Sequence, residues 1–377
     1  MIYLDNASTT RIKPQCVKKI FKKDFQKYSI NSGRGSYKLS LDANLKIYQL
    51  REKICDYFSF DKPENVVITS GCTSAINMCM LGTVQPGKHI ITTIYEHNSV
   101  LRTLNYLAQN YNITYSFAKP NKDGVISRKE IEPLIKSNTY LIIVNHASNV
   151  TGIVNDITSI GKLCKERQIK FMLDSAQSAG HVKINVLSDN INLLAFAGHK
   201  GLLGPQGIGG FIANDIEISP TKFGGTGTQS EDINQPLTLP DGFESGTHST
   251  INAVALLTSI TYVTKHQIKI NNKINKLTQY LFDELEKLKD VKIYSNRTNN
   301  IGVVSFNLTN YSSTESGTIL DEKYNICLRT GLHCAPLVHK YFNTLSNGMI
   351  RISLSSFNQL SDIKKLIKAI KNLIKKN

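Results

Sequence analysis

The chain has 377 residues, enough for two folding units or for one large domain with a smaller one attached. Its hydrophobic fraction of 41% and charged fraction of 20% are ordinary for a globular protein and exclude a disordered or fibrous chain. We expect a cytoplasmic protein, because no stretch reaches the roughly 20 apolar residues of a membrane span and the N-terminus lacks a signal-peptide pattern. Seven cysteines without paired spacing suit a reducing compartment better than a disulfide framework.

The net charge of +16 raises the alternative of a nucleic-acid-binding protein. Basic residues are densest in the last segment, SDIKKLIKAIKNLIKKN, where the lysines fall mostly opposite an apolar stripe. The stripe consists of Ile363, Leu366, Ile367, Ile370 and Leu373. This spacing predicts an ordinary solvated helix face, so we do not expect specific nucleic-acid recognition.

Strand-like runs alternate with amphipathic helical segments over most of the chain. The runs are ENVVITS, HIITTI, TYLIIVNHAS, IKFMLDSA, NLLAFAGH and GIGGFIAN. This alternation predicts an α/β fold with a parallel or mostly parallel sheet covered by helices on both faces. Ligand groups collect at the carboxyl ends of the strands in such sheets.

The pattern changes near residue 255. A long helical stretch at roughly 252–289 precedes the strand-like runs VKIYS, GVVSFNL and MIRISLS and the terminal helix. We predict a large domain over residues 15–255 and a smaller α/β domain formed by residues 1–14 and 256–377.

The segment FAGHKGLLGPQGIGG places Lys200 directly after a predicted buried strand and before a glycine-rich turn. Most lysines are solvated surface residues. An amine at a strand end beside His199 is instead held in one position and partly shielded from water. We therefore predict a catalytic amine at Lys200.

Asp174 ends the apolar run FMLD, where a carboxylate is costly unless it has a partner. A protonated pyridine nitrogen of a ligand would be such a partner, and Gln177 lies close enough in sequence to reach the same ligand. The alternative is an aspartate that caps a following helix.

The segment TSGCTSAIN has a glycine turn after a strand, followed by Thr73 and Ser74 at the start of a helix. Backbone N–H groups and a hydroxyl at a helix start can bind phosphate. Many strand–helix turns share this pattern, so it indicates a phosphate site only in combination with the other segments.

The loop RTGLHCAP carries His333 and Cys334. A nucleophilic cysteine needs a cationic or helix-end neighbour, and His333 and Arg329 can supply that environment. We predict that Cys334 is the reactive thiol. The other cysteines fall mostly in helical or strand patterns and are expected to fill the core: Cys16, Cys55, Cys72, Cys79, Cys164 and Cys327.

In sequence order, these segments resemble the class V group of fold-type I pyridoxal-phosphate enzymes. Within that group the chain is similar to the cysteine desulfurases and selenocysteine lyases that have a short RTGLHCA-type loop. The matching motifs are YLDNASTT, TSGCTSAIN, EHNSV, HASNVTGIVND, DSAQSAGH, GHKGLLGPQGIGG, FESGT, RTGLHCA and RISL. The resemblance implies a mostly parallel seven-stranded sheet in the large domain, pyridoxal phosphate as cofactor and a homodimer. We expect no metal site.

The resemblance also implies a role for each matched residue around the cofactor. Lys200 would hold pyridoxal phosphate as a Schiff base and later move protons at the substrate carbon. The other implied contacts are Asp174 to the pyridine nitrogen, Gln177 to the phenolic oxygen, His97 stacked on the ring, Thr73 and His199 at the phosphate, and Thr247 reaching in from a neighbouring subunit.

On the substrate side, the resemblance implies that Asn149 and Arg351 bind the substrate carboxylate, since a guanidinium matches that planar group. Cys334 would accept the sulfur of L-cysteine, which leaves L-alanine and an enzyme persulfide. Arg329 and His333 would be its nearest helpers. A sulfur-acceptor protein is a possible partner.

Three positions depart from the family pattern. Ala197 stands where many relatives have a serine or threonine that contacts the phosphate, and a hydrogen bond lost there costs about 1–3 kcal/mol if it goes unreplaced. Cys72 stands where threonine is frequent, and Ser74 where glutamate is frequent. We expect either weaker cofactor binding or a separate role for Cys72.

Several alternatives to a cysteine desulfurase stay open. A selenocysteine lyase or another pyridoxal-phosphate-dependent carbon–sulfur lyase can use the same residues, and these differ in whether alanine release from L-cysteine depends on Cys334. A non-catalytic binding or scaffold protein that keeps the fold would differ by failing to bind pyridoxal phosphate.

Overall fold

The strands and helices below come from a computed structural model, which describes residues 1–33 and 35–375. The strands are β1 (Ile2–Tyr3), β2 (Val66–Thr69), β3 (His89–Thr93), β4 (Thr114–Ala118), β5 (Thr139–Asn145), β6 (Lys170–Asp174), β7 (Leu193–Ala197), β8 (Gly209–Ala213), β9 (Val291–Ile293), β10 (Val303–Leu308), β11 (Ile326–Cys327), β12 (Arg329–Gly331) and β13 (Met349–Ser353). The helices are α1 (Gln15–Lys23), α2 (Phe25–Tyr28), α3 (Lys38–Phe58), α4 (Cys72–Gly82), α5 (Asn98–Tyr111), α6 (Arg128–Ile131), α7 (Ile157–Glu166), α8 (Thr250–Leu285), α9 (Ser313–Tyr324), α10 (Pro336–Tyr341) and α11 (Leu360–Ile374).

The largest sheet has seven strands in the order β2-β8-β7-β6-β5-β3-β4. Within the described residues β8 is antiparallel to both of its neighbours, while the other neighbouring pairs are parallel. Strands β6 and β7 are buried along almost their whole length because helices cover both faces of the sheet. The predicted α/β fold with a mostly parallel seven-stranded sheet is confirmed.

Six of these strands match the strand-like runs in the sequence, but β4 was missed. It lies at the edge of the sheet, pairs only with β3 there, and its first two residues are exposed. An edge strand with one solvated side lacks the continuous apolar run of a central strand. The run TYSFA therefore carried too weak a signal.

The C-terminal part of the chain forms a four-stranded antiparallel sheet in the order β12-β13-β10-β9. Strand β1, at the start of the chain, pairs in parallel with β11, and Asp5 bridges to Ser353. Arg329 on β12 lies directly opposite Arg351 on β13. These pairings bring the first residues of the chain against the C-terminal sheet.

The domain division at residue 255 stays a prediction. Helix α8 begins at Thr250 and continues through that boundary to Leu285. Residues 34, 376 and 377 of the two predicted domains lie outside the described residues.

The terminal helix has the apolar face that the spacing of its residues predicted. Its five stripe residues are buried and pack in one apolar cluster with α8 and the four-stranded sheet. No helix of the described ranges combines the length and apolar character that a membrane crossing needs.

Helix α8 offers a matched pair of positions to test this packing. Leu281 is fully buried in the cluster, whereas Ile268 on the same helix is 79% exposed. We expect Leu281→Ala to lower the free energy of unfolding by about 2–5 kcal/mol, because it leaves a cavity. Ile268→Ala should change it by less than about 0.5 kcal/mol. Urea unfolding of both variants checks this, and equal losses would contradict the packing described.

Candidate active site

The candidate site lies where the central parallel strands end. Strands β5, β6 and β7 end at Asn145, Asp174 and Ala197, and Asn145 is paired in register with Asp174. Lys200 follows β7 after a short turn. Because the carboxyl ends of parallel strands share one edge of the sheet, these residues come together.

Lys200 is partly shielded from solvent, and this desolvation lowers the pKa of its amine. The nearby charges act in both directions: Asp174 raises the pKa, and Arg351 and Arg329 lower it. The amine is therefore more readily neutral than a surface lysine. A neutral amine can act as a nucleophile or accept a proton.

Asp174 is only 2% exposed, and its Oδ1 atom has two donors. The Ala176 backbone N–H donates at 2.8 Å, and the Cys72 Sγ donates at 3.6 Å. Residues 176–181 form turns, so Asp174 does not cap a helix there. The carboxylate is thus held in place inside the site.

His97 is the N-cap residue of α5, and its Nδ1 accepts a hydrogen bond from the Ser99 backbone N–H at 3.1 Å. Burial lowers the pKa of its imidazole, an effect that Asp174 opposes and Lys200 reinforces. The next residue, Asn98, donates its backbone N–H to the Cys334 carbonyl at 2.7 Å. This bond ties the cysteine loop to the start of α5.

Cys334 lies in a tight turn closed by a hydrogen bond from the Ala335 N–H to the Leu332 carbonyl at 2.9 Å. The two central residues, His333 and Cys334, both have positive φ, 52° and 57°, as in a type I′ turn. Non-glycine residues adopt this backbone only when their surroundings hold it. The turn therefore presents the Cys334 thiol in a defined direction.

The two predicted helpers of Cys334 have different positions. The Arg329 Nη2 donates to the Cys334 Sγ at 3.7 Å. The His333 ring is buried, with its Nδ1 3.5 Å from the His339 Nε2, and burial holds its pKa well below the usual range. His333 is therefore neutral, and the cationic contact with the sulfur comes from Arg329.

Arg351 is the hub of a buried polar cluster. Its Nη2 donates to Asp5 Oδ1 at 2.6 Å and to Ser8 Oγ at 2.9 Å, and its Nη1 donates to the Asn149 carbonyl at 3.0 Å. Ser8 also accepts from Arg329 Nη1 at 2.8 Å. The Arg351 Nε is buried without a partner among the described residues. The Nε–H of the guanidinium is therefore left for a ligand.

Asn149 links this cluster to the cysteine turn. Its Nδ2 donates to the His333 carbonyl at 2.6 Å, while its Oδ1 is buried and lacks a partner in the part of the chain that is described. Arg351 and Asn149, which were predicted to act together, are in direct contact.

The other end of the site is the start of α4. This helix begins at Cys72 without a side-chain cap, so its first N–H groups are available to an anion. A neighbouring cavity of about 390 Å³ is lined by Ser70, Ser74, Lys222 and Thr247 of the same chain. Thr73, the predicted phosphate ligand, is exposed in the first turn of the helix.

His199 and Ala197 complete this end. The His199 Nδ1 is buried and finds no partner within residues 1–33 and 35–375, and burial lowers the pKa of the ring to about 4. Ala197 is 2% exposed and packs in the apolar cluster beneath the sheet edge. Its side chain offers no hydrogen bond, as the sequence indicated.

Gln177 and Lys200 line one small cavity of about 20 Å³. The Gln177 Nε2 donates to the Ala7 carbonyl at 2.9 Å, which anchors the amide to the N-terminal segment. A second N–H of this amide remains for a ligand.

Three supporting residues of the site were not predicted from the sequence: Asp5, Ser8 and Glu96. Asp5 and Ser8 lie in the motif YLDNASTT. A carboxylate and a hydroxyl that follow a short apolar run were the sequence feature that could have indicated a role in the site. Glu96 directly precedes His97 and is fully buried. Its Oε1 accepts from Thr93 Oγ1 at 2.6 Å and from the Asn145 N–H at 2.9 Å, so it joins the ends of β3 and β5.

Comparisons with known proteins identify the family of this chain. The profile of the family described as Aminotransferase class-V matches residues 2–366. The chain belongs to this family. The predicted class V resemblance is confirmed.

Three relatives of this class-V chain are described as cysteine desulfurases or probable cysteine desulfurases. A probable cysteine desulfurase of Methanothermobacter thermautotrophicus is 32% identical over 97% of this chain and 92% of that protein. A probable cysteine desulfurase of Pyrococcus abyssi is 31% identical over 100% of this chain and 94% of that protein. The apo structure of a cysteine desulfurase from Thermococcus onnurineus NA1 is 31% identical in sequence and has a TM-score of 0.91. The match covers 100% of this chain and 95% of that chain.

Glu96 gives this class-V protein a pH dependence that can be measured. Burial raises the pKa of its carboxyl from 4.5 to about 8, so the folded protein keeps a proton that the unfolded chain releases. The free energy of unfolding should therefore fall as the pH rises from about 4.5 to about 8, by more than about 1 kcal/mol from this group. Glu96→Gln mimics the protonated acid and should lose this component, giving a variant more stable than the wild type at pH 8. The free energy of unfolding of both proteins is measured by urea unfolding at each pH. If it changes with pH in the same way in both, the prediction is wrong.

Proposed function

We propose that this chain is a cysteine desulfurase, an enzyme that removes sulfur from L-cysteine to give L-alanine and a persulfide on Cys334. The relatives described above carry that name and match nearly the whole chain. One observation carries the assignment of residues: the Arg329 guanidinium contacts the Cys334 sulfur at 3.7 Å and, together with Arg351, also lowers the pKa of the Lys200 amine.

Pyridoxal phosphate fits the cofactor end of the site, where the buried His199 Nδ1 has no partner among the described residues. The other two unpaired buried atoms of the predicted set, Asn149 Oδ1 and Arg351 Nε, lie at the substrate end. Lys200 would hold the aldehyde, Asp174 the ring nitrogen, and the start of α4 with His199 the phosphate. When bound, this cofactor supplies an electron sink that makes the substrate Cα–H bond acidic.

The protein residues then have separate tasks. Lys200, whose desolvated amine is easily neutral, accepts the proton from the substrate Cα and can return it later. Asp174, held at Oδ1 by two donors, would place its carboxyl group beside the ring nitrogen. His97, neutral and capped onto α5, offers a flat face for stacking.

The substrate carboxylate is assigned to Arg351 and Asn149. Arg351 is fixed by Asp5, Ser8 and the Asn149 carbonyl, so its free Nε–H is already oriented. A guanidinium that is held by other partners loses little side-chain entropy on binding an anion.

Cys334 accepts the sulfur. Its thiolate attacks the sulfur of the bound substrate, so an S–S bond forms while the substrate Cβ–S bond breaks. The electron pair of the broken bond goes to Cβ, which takes up a proton to give alanine. The Arg329 Nη2 lies 3.7 Å from the attacking sulfur and donates to it.

The homodimer, the sulfur-acceptor protein and the cytoplasmic location are further parts of this proposal. The segment between β8 and α8 has little regular structure and exposes Phe223, Ile233 and Leu237 by 73%, 100% and 73%. Large exposed apolar side chains in one segment support an interface with a second copy. The partial exposure of Cys334 supports sulfur transfer to another protein. Seven free thiols suit a reducing compartment.

Substitution of Cys334 tests the reaction. We expect Cys334→Ala and Cys334→Ser to lower alanine release from L-cysteine by at least about 100-fold, since both remove the thiol that is proposed to take the sulfur. Cys327→Ala, a change at another partly exposed cysteine, is the control and should keep activity. Alanine is quantified together with sulfide, and the persulfide is detected on Cys334 by mass spectrometry.

The same variants separate the alternatives. If Cys334→Ala releases alanine from L-cysteine at the wild-type rate, the persulfide mechanism is wrong. If the wild type acts on L-selenocysteine and not on L-cysteine, the protein is a selenocysteine lyase.

Reduction with sodium borohydride tests the cofactor site. We expect the wild type loaded with pyridoxal phosphate to carry a pyridoxyl group on the peptide that contains Lys200, because its lowered pKa makes this amine the reactive one. Lys200→Ala should carry no such group on this peptide. Labelling of a different lysine in the wild type would overturn the assignment.

A further inference from the structure

Cys72 has a contact that none of the roles above explains. It is the first residue of α4, is 9% exposed, and points inward, whereas the next residue, Thr73, is exposed. Its Sγ lies 3.6 Å from Asp174 Oδ1, a normal distance for a hydrogen bond that involves sulfur. Cys72 is also one of the positions at which the chain departs from the family pattern.

The direction of this contact follows from the charges. Burial, reinforced by the neighbouring Asp174 carboxylate, raises the pKa of the Cys72 thiol well above its usual range, so the sulfur keeps its proton. A carboxylate accepts, and an S–H group can donate. The hydrogen bond therefore runs from Cys72 to Asp174.

The two oxygens of Asp174 consequently differ. Oδ1 receives the Cys72 S–H and the Ala176 N–H. No residue of the described ranges donates to Oδ2, which leaves this oxygen as the one that can pair with a ligand. With one oxygen held from two sides, the carboxylate cannot rotate freely about its Cβ–Cγ bond.

We propose that Cys72 is a positioning residue, which donates its S–H to Asp174 and orients that carboxylate toward the cofactor ring. This inference rests on the proposed function only in that the ligand of Asp174 is pyridoxal phosphate. Cys72 thus connects the phosphate end of the site to the ring nitrogen end, since the helix that starts at Cys72 also offers N–H groups to the anion.

Cys79 provides a matched control. It lies on the same helix and is fully buried, and burial alone raises the pKa of its thiol. Its thiol makes no hydrogen bond with Asp174 in the described chain. A cysteine that only fills space should behave like Cys79 when it is replaced.

The test compares Cys72→Ala, Cys72→Ser and Cys79→Ala as full-length apoproteins titrated with pyridoxal phosphate. Loss of one hydrogen bond to a carboxylate should raise the Kd for pyridoxal phosphate about three- to tenfold in Cys72→Ala. Cys72→Ser restores a donor and should stay within about twofold of the wild type, as should Cys79→Ala. Urea unfolding of the apoproteins reports separately on lost packing.

A second measurement follows the visible absorption band of the bound cofactor against pH. Because the Asp174 carboxylate of Cys72→Ala is less well oriented toward the positive ring nitrogen, the midpoint pH of this titration should be higher than in the wild type. In Cys72→Ser the midpoint should return to the wild-type value. A difference infrared spectrum of the apoproteins, wild type minus Cys72→Ala, should show the S–H stretching band of Cys72. In an Asp174→Ala background, which lacks the acceptor, this band should move to higher frequency.

The results of these measurements either support or overturn the proposed role of Cys72. It is overturned if Cys72→Ala matches Cys79→Ala in both cofactor affinity and spectral titration, or if Cys72→Ser behaves like Cys72→Ala. A wild type that binds pyridoxal phosphate but releases no alanine from L-cysteine refutes the desulfurase proposal and leaves the Cys72 test intact. The infrared comparison needs neither cofactor nor substrate, so it tests the hydrogen bond by itself.

Discussion

The ion pair between Arg351 and Asp5, two residues 346 positions apart in sequence, joins the N-terminal segment to the C-terminal sheet at the centre of the site. The Arg351 side chain is only 2% exposed, and a guanidinium buried to that degree is stable only when it is paired and hydrogen-bonded. Ser8 and the Asn149 carbonyl complete its partners. The N-terminal segment must therefore pack between the two main sheets. Through Ser8, the same cluster also holds Arg329 and thereby the Cys334 sulfur.

Burial divides the groups of the site into two kinds. Desolvation lowers the pKa of Lys200, His97, His199 and His333, so these nitrogens are readily neutral. The Arg351 guanidinium instead pairs with the Asp5 carboxylate, and the Asp174 carboxylate accepts a backbone N–H bond. The site therefore holds nitrogens that can carry a proton beside charged groups that are fixed by their partners. An enzyme that must remove a proton from carbon near neutral pH needs both kinds.

Local sequence was a good guide wherever burial acts along a continuous run. Lys200 and Asp174 could be predicted because both follow apolar strands, and parallel strands end at one edge of the sheet. The same reasoning failed for β4, whose solvated edge position weakens its apolar signal. His333 shows a subtler limit, since a histidine beside a cysteine suggests a cation, but its burial against His339 makes the ring neutral.

The sequence by itself determined the α/β class, most strands and the amphipathic terminal helix, because each depends on local periodicity. The roles of the reactive residues, which follow from motifs, stay predictions. Only the tertiary structure decided which of these side chains touch. The Cys72–Asp174 contact joins residues 102 positions apart, and the Arg351–Asp5 pair joins residues 346 positions apart. Such contacts arise from the packing of separate elements. No spacing within a single segment records them.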